Sequence, residues 1–280
     1  MATRNALNRS VNKHQTNLQR VNILAQKETR NVLSVLPNMS FNEQASYVRN
    51  IIPTVINKYG NVAASVGALH YNEMRSLQTV EYGLKPYVAT VPIGISFKDK
   101  IDNMLGFSIA KNSDSGIKAM AAFLIDELTL YVANYDRETI SFNANNEPKT
   151  VQIQRVAEAD ACAFCSTIAA AGVVYEGIAW DEDVVTYAND YHSNCNCSTE
   201  VIYSNSAGKF DSNIRPDYYD TLESQYKSAQ DAQAAIRADI VDKHLNEFNG
   251  SYSKLFKAYP EAATTTKNVT AQMRLVSGRS

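Results

Sequence analysis

Cys162-Ala163-Phe164-Cys165 and, after 26 intervening residues, His192-Ser193-Asn194-Cys195-Asn196-Cys197 contain every cysteine of the chain. A C-x2-C pair lets two thiolates reach one cation from a single tight turn. A second set of donors brought in from a distant segment then closes a tetrahedron around Zn²⁺. Five donors compete for four places. The spacing points to Cys162, Cys165 and His192 with either Cys195 or Cys197; on an extended strand those last two face the same way, so periodicity leaves the choice open. A full set of protein donors leaves no position for water, which makes such a zinc structural rather than catalytic.

Alternative roles for these thiols account for less. Two disulfides need an oxidising compartment, and the polar stretch from Met1 to Asn17 lacks the apolar core of a secretion signal. A redox C-x-x-C does not need His192 placed three residues before Cys195. Inert buried thiols would not leave the other 244 residues without a cysteine. A Cys/His dyad built on His192 accounts for fewer of the same residues than ligation does.

Outward from the cysteines the hydrophobic period changes. Thr139 to Phe142 and Val151 to Val156 are short and β-branched, with turn chemistry from Asn143 to Pro148 between them, which predicts a hairpin leading in. Thr199 to Tyr203 alternates, which predicts a strand leading out. Upstream the pattern is helical. Leu18, Val21, Ala25, Val32, Val35 and Leu36 fall at helical spacing up to Pro37, and Ser40 with Glu43 fits a capping box that opens a helix from Phe41 to Ile56 around Pro53. Gly60 punctuates the chain, and Asn61 to Leu77 predicts a further helix with Leu69 and Met74 turned inward. Pro86, Pro92 and Gly94 mark Lys85 to Phe97 as a loop, and Asp99 to Ala110 reads as a short helix. The strongest helix is Gly116 to Tyr135, with Ile117, Met120, Ala121, Leu124, Leu128 and Val132 on one face. An Ala-rich helix from Asp217 to about Asn246 and a weakly patterned tail from Gly250 complete the chain. The fold class is therefore α+β: a helical N-terminal domain (1–136), a small zinc-stapled α+β module (137–205) and a helical, partly flexible C-terminal tail (206–280).

With 45% hydrophobic and 20% charged residues the chain reads as soluble and globular, and no apolar run is long enough to cross a bilayer. Charge is uneven: residues 1–60 hold eight Lys/Arg against two Asp/Glu, while residues 156–200 hold eight Asp/Glu and no Lys/Arg. An acidic module repels phosphate, which disfavours a nucleic-acid zinc ribbon; the basic N-terminal arm is a weak candidate for DNA contact and reads most simply as a solvated helix face. No H-E-x-x-H, P-loop or G-x-S-x-G occurs, and Ser65 in Ala63-Ala64-Ser65-Val66-Gly67 reads as a small helix residue. His14, His70 and His244 each stand alone and read as surface or capped residues. Trp180, Tyr187 and Tyr191 read as packing over the cysteine knot.

Two blocks of sequence carry a family resemblance. Lys58-Tyr59-Gly60-Asn61-Val62-Ala63-Ala64-Ser65-Val66-Gly67-Ala68-Leu69-His70-Tyr71-Asn72-Glu73-Met74-Arg75 has a Tyr-Gly start, an Ala-rich middle and a Tyr-x-x-x-Arg end. The second block runs from Arg137-Glu138-Thr139-Ile140 through Arg155-Val156, Cys162 to Cys165 and Gly172-Val173-Val174-Tyr175 to Tyr191 and Cys197. Together they resemble the Mu F-like phage minor head proteins, and more closely a group encoded beside the portal gene in phages of actinobacteria. The resemblance spans roughly residues 15 to 205 and draws its specificity from the cysteine block. Ser193 and Asn196 stand where the wider family has proline and arginine, which leaves the metal ligands intact. The resemblance implies a virion protein present in a few copies in the head interior or near the portal, and in the host cytoplasm during assembly. Its partners would be portal, major capsid protein and scaffold, and its role head morphogenesis or DNA packaging and ejection. Some relatives carry the label capsid maturation protease, which is the alternative reading; the sequence offers no nucleophile–base pattern for it, so a non-enzymatic role is the expectation.

Overall fold

The computed structural model describes residues 4–79, 102, 114–147, 151–158, 161–170, 174–176, 195, 197–204 and 218–278. Helix α1 (Arg4–Leu33) begins well before the apolar stripe that starts at Leu18, because Asn8, Ser10, His14 and Gln15 occupy its buried face in the first turns instead of aliphatic residues. A 3-10 turn (Leu36–Asn38) containing Pro37 closes it. The expected capping box then opens α2 (Phe41–Gln78): the Ser40 backbone N–H donates to Glu43 Oε2 at 2.8 Å, and the Ser40 side chain accepts from the amide of Glu43.

Helix α2 does not break at Gly60. It runs unbroken through Pro53 and Gly60, so the two helices expected between Phe41 and Leu77 are one. The glycine is there for proximity: a Cβ on Gly60 would lie 2.6 Å from the Tyr135 ring, and one on Gly67 would lie 2.7 Å from Asp136 Oδ1 and 2.9 Å from the Asp136 carbonyl oxygen. Both contacts are with α3 (Asp114–Asn145), which the missing side chains allow to approach α2 closely. Met74 is buried as expected, but Leu69 is 72% exposed.

Met120, Leu124, Leu128 and Val132 of α3 form the core of a three-helix body with Leu18, Val48, Ile52 and Ile56. Helix α3 also continues through Thr139 to Phe142, which were expected to form the first arm of a hairpin. Thr139 Oγ1 donates to the Tyr135 carbonyl at 2.6 Å, and Asn143 Nδ2 donates to the Thr139 carbonyl at 2.7 Å, so polar side chains reinforce the helical ladder there, and Ile140 is buried at its inner face. Burial on a helical period outweighs the weak β preference of three residues.

Among the described residues the sheet has three antiparallel strands in the order β2-β1-β3: β1 (Val151–Val156) lies between β2 (Val174–Glu176) and β3 (Ser198–Tyr203), with Ile153 opposite both Tyr175 and Val201. β1 and β3 are thus where the sequence placed strands. Every residue of β3 is buried, and its outer edge is met by Gln78 of α2, which donates to the Val201 carbonyl at 2.9 Å and accepts from the Tyr203 amide at 3.1 Å. Between β1 and β2 comes α4 (Ala163–Ala170). After β3, α5 (Tyr219–His244), α6 (Tyr252–Ala258) and α7 (Thr266–Ser277) follow, and Leu222, Ala229, Val269 and Met273 of α5 and α7 pack against α4 and the cysteines. Of the loop and short helix expected from Lys85 to Ala110, only Asp102 lies within the described residues, and it is helical.

Replacing Gly67 by alanine should be costly, since its new methyl group meets backbone as well as side chain of Asp136. Urea unfolding should show a loss of about 1–3 kcal/mol. The exposed neighbour Ser65→Ala, by contrast, should lie within about 0.5 kcal/mol of the parent. Equal stability of Gly67→Ala and the parent would mean that α2 and α3 are farther apart than described.

Candidate metal centre and a second buried cluster

Cys162 immediately precedes α4, and its carbonyl accepts the Ser166 amide at 2.9 Å, so the C-x2-C pair forms the opening turn of that helix. The Cys165 amide points at Cys162 Sγ, 3.5 Å away. Cys165 Sγ lies 3.5 Å from Cys195 Sγ, and the sulfurs of Cys165, Cys195 and Cys197 are all within 4.8 Å of one another. These three side chains are buried and Cys162 is half-buried beside them. All four are free thiols, with no disulfide among them. This buried Cys165/Cys195/Cys197 cluster could hold a metal ion. Cys195 and Cys197 are therefore not alternatives, as the periodicity left them: both sulfurs come to Cys165. His192 lies outside the described residues, as do Trp180, Tyr187 and Tyr191.

The cysteine segment carries no cation of its own, but the fold brings in two. Arg137 on α3 donates from Nη2 to the carbonyl oxygens of Cys195 and Cys197, at 2.7 and 3.2 Å, and so fixes the backbone that presents both sulfurs. Arg155 on β1 places Nη1 3.9 Å from Cys165 Sγ. Hydrogen bonds from the Cys165 and Cys197 thiols, helped by the charge of Arg137, hold the Cys195 thiol far below its ordinary range. The Cys165 thiol is pushed up by its contacts with Cys162 and Cys195 and by burial.

A second constellation sits where the helical body meets the sheet. His14 on α1 puts Nε2 2.8 Å from Asp136 Oδ1 on α3, and Nδ1 3.3 Å from Glu200 Oε1 on β3. His70 on α2 puts Nε2 2.5 Å from Glu200 Oε2, and Nδ1 3.4 Å from Ser10 Oγ. The two imidazoles stack, 3.9 Å between centroids and 11° from parallel. His14, Asp136 and Glu200 have no exposed side-chain surface. The expectation that His14 and His70 stand alone is thus corrected. The stripe Leu18, Val21, Ala25, continued backwards at helical spacing, lands on His14 and Val11; that continuation was the available signal, hidden because polar residues replace aliphatic ones. His244 stacks on Tyr259 and lies 3.0 Å from Glu247, so it too has partners.

Burial alone would depress the His14 pKa, but Asp136 and Glu200 outweigh it and push it up to about 10. Burial would raise the Glu200 carboxyl, but His70 and His14 hold it far below the usual carboxylate range. Ser10, His70 and Glu200 occur in the order of a serine–histidine–carboxylate relay. Ser10, however, is 2% exposed inside α1, where no substrate carbonyl can reach its hydroxyl. Ser65 is likewise a helix residue, its hydroxyl donating to the Asn61 carbonyl at 2.9 Å.

Fold and cluster together describe a largely helical protein whose small sheet is entered through a buried knot of thiols. The chain belongs to the VG15 protein family, whose model matches residues 5–229, from the start of α1 to the middle of α5. This is a family of phage gene products. Neither a curated protein nor a solved structure matches the chain. Among the described residues no helix is long and apolar enough to cross a membrane.

With no cation bound, the second cluster makes stability depend on pH in a definite sense. The His14 pKa is raised on folding, so its contribution is complete below about 6.5 and is lost as pH rises towards about 10. Glu200 is depressed, so its contribution is present above 4.5 and fades as pH falls below that value. Urea unfolding across this range should give an alkaline loss on the order of a few kcal/mol that is absent in His14→Gln. Identical alkaline slopes for the two proteins would remove His14 as the group responsible.

Proposed function

We propose that this chain is a minor head protein of a tailed phage, of the Mu F-like kind, seated in a few copies beside the portal and major capsid protein. It acts there in head morphogenesis and in DNA packaging or ejection, with scaffold as a further partner during assembly. The observation that carries the reading is the thiol cluster, because it belongs to the block of sequence that resembles the Mu F-like signature and because its place in the fold is architectural. It joins the first turn of α4 to the start of β3, beneath α5 and α7, and the sulfurs of Cys165, Cys195 and Cys197 are buried among apolar side chains. Membership of a phage gene-product family supports the same reading.

The metal we assign to the cluster is Zn²⁺, held by Cys162, Cys165, Cys195 and Cys197. Zinc–sulfur bonds of about 2.3 Å in a tetrahedron place sulfurs about 3.8 Å apart. The observed separations, 3.5 Å for Cys165 and Cys195 and no more than 4.8 Å across the three buried sulfurs, bracket that value. Four thiolates around Zn²⁺ leave two negative charges, which Arg137 and Arg155 offset. Cys162, beside Cys165 at the opening turn of α4, stands outside that close group and supplies the fourth sulfur by turning inward; His192 lies outside the described residues.

Zinc bound here should stabilise the module by an amount on the order of 10 kcal/mol at neutral pH. The purified chain should therefore contain thiol-bound zinc, and chelation under reducing conditions should expose all four thiols to modification and lower the melting temperature. Full thiol reactivity in the untreated protein, with no zinc present, would remove the staple. For the role itself, the chain should be co-expressed with the portal and major capsid proteins of its own genome. It should sediment with the assembled heads, and Cys165→Ser should lose that association. Its absence from gradient-purified heads would contradict the assignment, and specific cleavage of the capsid protein, lost in Cys195→Ala with the fold retained, would replace it with a maturation protease.

A further inference from the structure

We infer that His14, His70 and Glu200 form a second divalent-cation site, distinct from the cysteines, with Asp136 and Ser10 orienting the two imidazoles. Each histidine turns one ring nitrogen towards Glu200, His14 Nδ1 at 3.3 Å and His70 Nε2 at 2.5 Å, while its other nitrogen has a partner of its own: Asp136 at 2.8 Å for His14, and Ser10 at 3.4 Å for His70. A ligating histidine uses its two nitrogens in this way, one for the metal and one for a carboxylate or hydroxyl that fixes tautomer and ring direction. The donor atoms of His14, His70 and Glu200 all lie within 4.8 Å of one another.

The carboxylates fit the same role: Asp136 and Glu200 are fully buried. Asp136 Oδ2 is also buried without a hydrogen-bond partner. A divalent cation on His14 and Glu200 draws the Asp136 carboxylate onto the remaining His14 N–H. Gly67 shows that room has been kept for that carboxylate, since any side chain there would strike Asp136 Oδ1 at 2.7 Å.

The nearest cleft lies between α1 and α2 and is lined by Lys13, His14, Asn17, Leu69, His70 and Glu73; the two imidazoles are themselves buried, so an ion reaches them only as neighbouring side chains move. The stacked rings now present their nitrogens side by side, so binding tilts one ring until the two lone pairs converge. Two imidazoles and one carboxylate select a first-row transition ion such as Zn²⁺ or Fe²⁺ over Mg²⁺ or Ca²⁺, which take oxygen donors.

Co²⁺ titration of the full-length chain separates this site from the cysteine site by colour. Thiolate ligation gives intense sulfur-to-cobalt charge-transfer bands; nitrogen and oxygen ligation gives weak d–d bands alone. The expected result is a second bound equivalent that adds only weak bands, lost in His70→Gln while the thiolate bands stay, and weakened about ten- to hundredfold in Asp136→Asn. Because the two spectra are independent, failure of the cysteine site would leave the weak-band equivalent readable, and failure of the histidine site would leave the thiolate bands. Should His70→Gln not fold, the ring ¹⁵N resonances of His14 and His70 in the parent chain should move on addition of Zn²⁺. A parent chain in which every bound cobalt is thiolate-ligated, or in which those resonances stay fixed, overturns the proposal.

Discussion

Sulfur atoms 30 residues apart in sequence meet at 3.5 Å, and the placement of β3 follows from that meeting. Cys197 directly precedes the strand, so once Cys195 and Cys197 are tied to Cys165, the register and facing of Ser198 to Tyr203 are set. A slip of one residue would turn every side chain of the strand to the opposite face. Glu200 would then leave His14 and His70, and Ile202 would leave Val11 and Met74. Arg137 secures the same point from the other side by binding the carbonyls of both cysteines.

The strand so placed is joined to the helical body largely through polar groups. Gln15 reaches the Val156 carbonyl and Ser198 Oγ, each at 3.3 Å; Gln78 completes the edge of β3; and Glu147 takes Arg75 at 3.0 Å together with the hydroxyls of Tyr71 and Tyr203. With the His14–Asp136–Glu200–His70 cluster these make a seam of directional contacts beside small apolar clusters such as Tyr71, Ile140 and Val201. Apolar surfaces can slide over one another at modest cost, whereas a buried ion pair separated from its partner leaves an uncompensated charge costing about 3–5 kcal/mol. A seam of this kind fixes orientation more than it adds stability.

What could be read from the sequence and what could not divides along physical lines. The cysteine cluster was legible because four thiols crowded into 36 positions, in a chain otherwise without them, point to a shared ligand. The capping box at Ser40, the inner face of α3 and the strands β1 and β3 were legible because each rests on a local pattern. Gly60 misled because a glycine that ends a helix and one that admits a neighbour's ring look alike until the neighbour is known. Thr139 to Phe142 misled because their β-branched character is overruled by contacts made along a helix continued from Asp114. His14, His70, Asp136 and Glu200 come from four separate elements; helical spacing reaches His14 alone, and no pattern within one segment announces the cluster. Arg137 and Arg155 stood in the block of sequence that carries the resemblance, but their meeting with the cysteines was not legible, since the acidic count of the cysteine segment says nothing of cations that other elements fold onto it.

A cation bound by four sulfurs, clamping two distant segments together, is most directly tested by ¹¹³Cd NMR of the cadmium-loaded chain, because the chemical shift reports the ligand set of each site separately. Such a clamp predicts one resonance in the region of all-sulfur coordination, coupled to the β-protons of Cys162, Cys165, Cys195 and Cys197. A spectrum without such a resonance, or one whose couplings reach only one of the two segments, would contradict it.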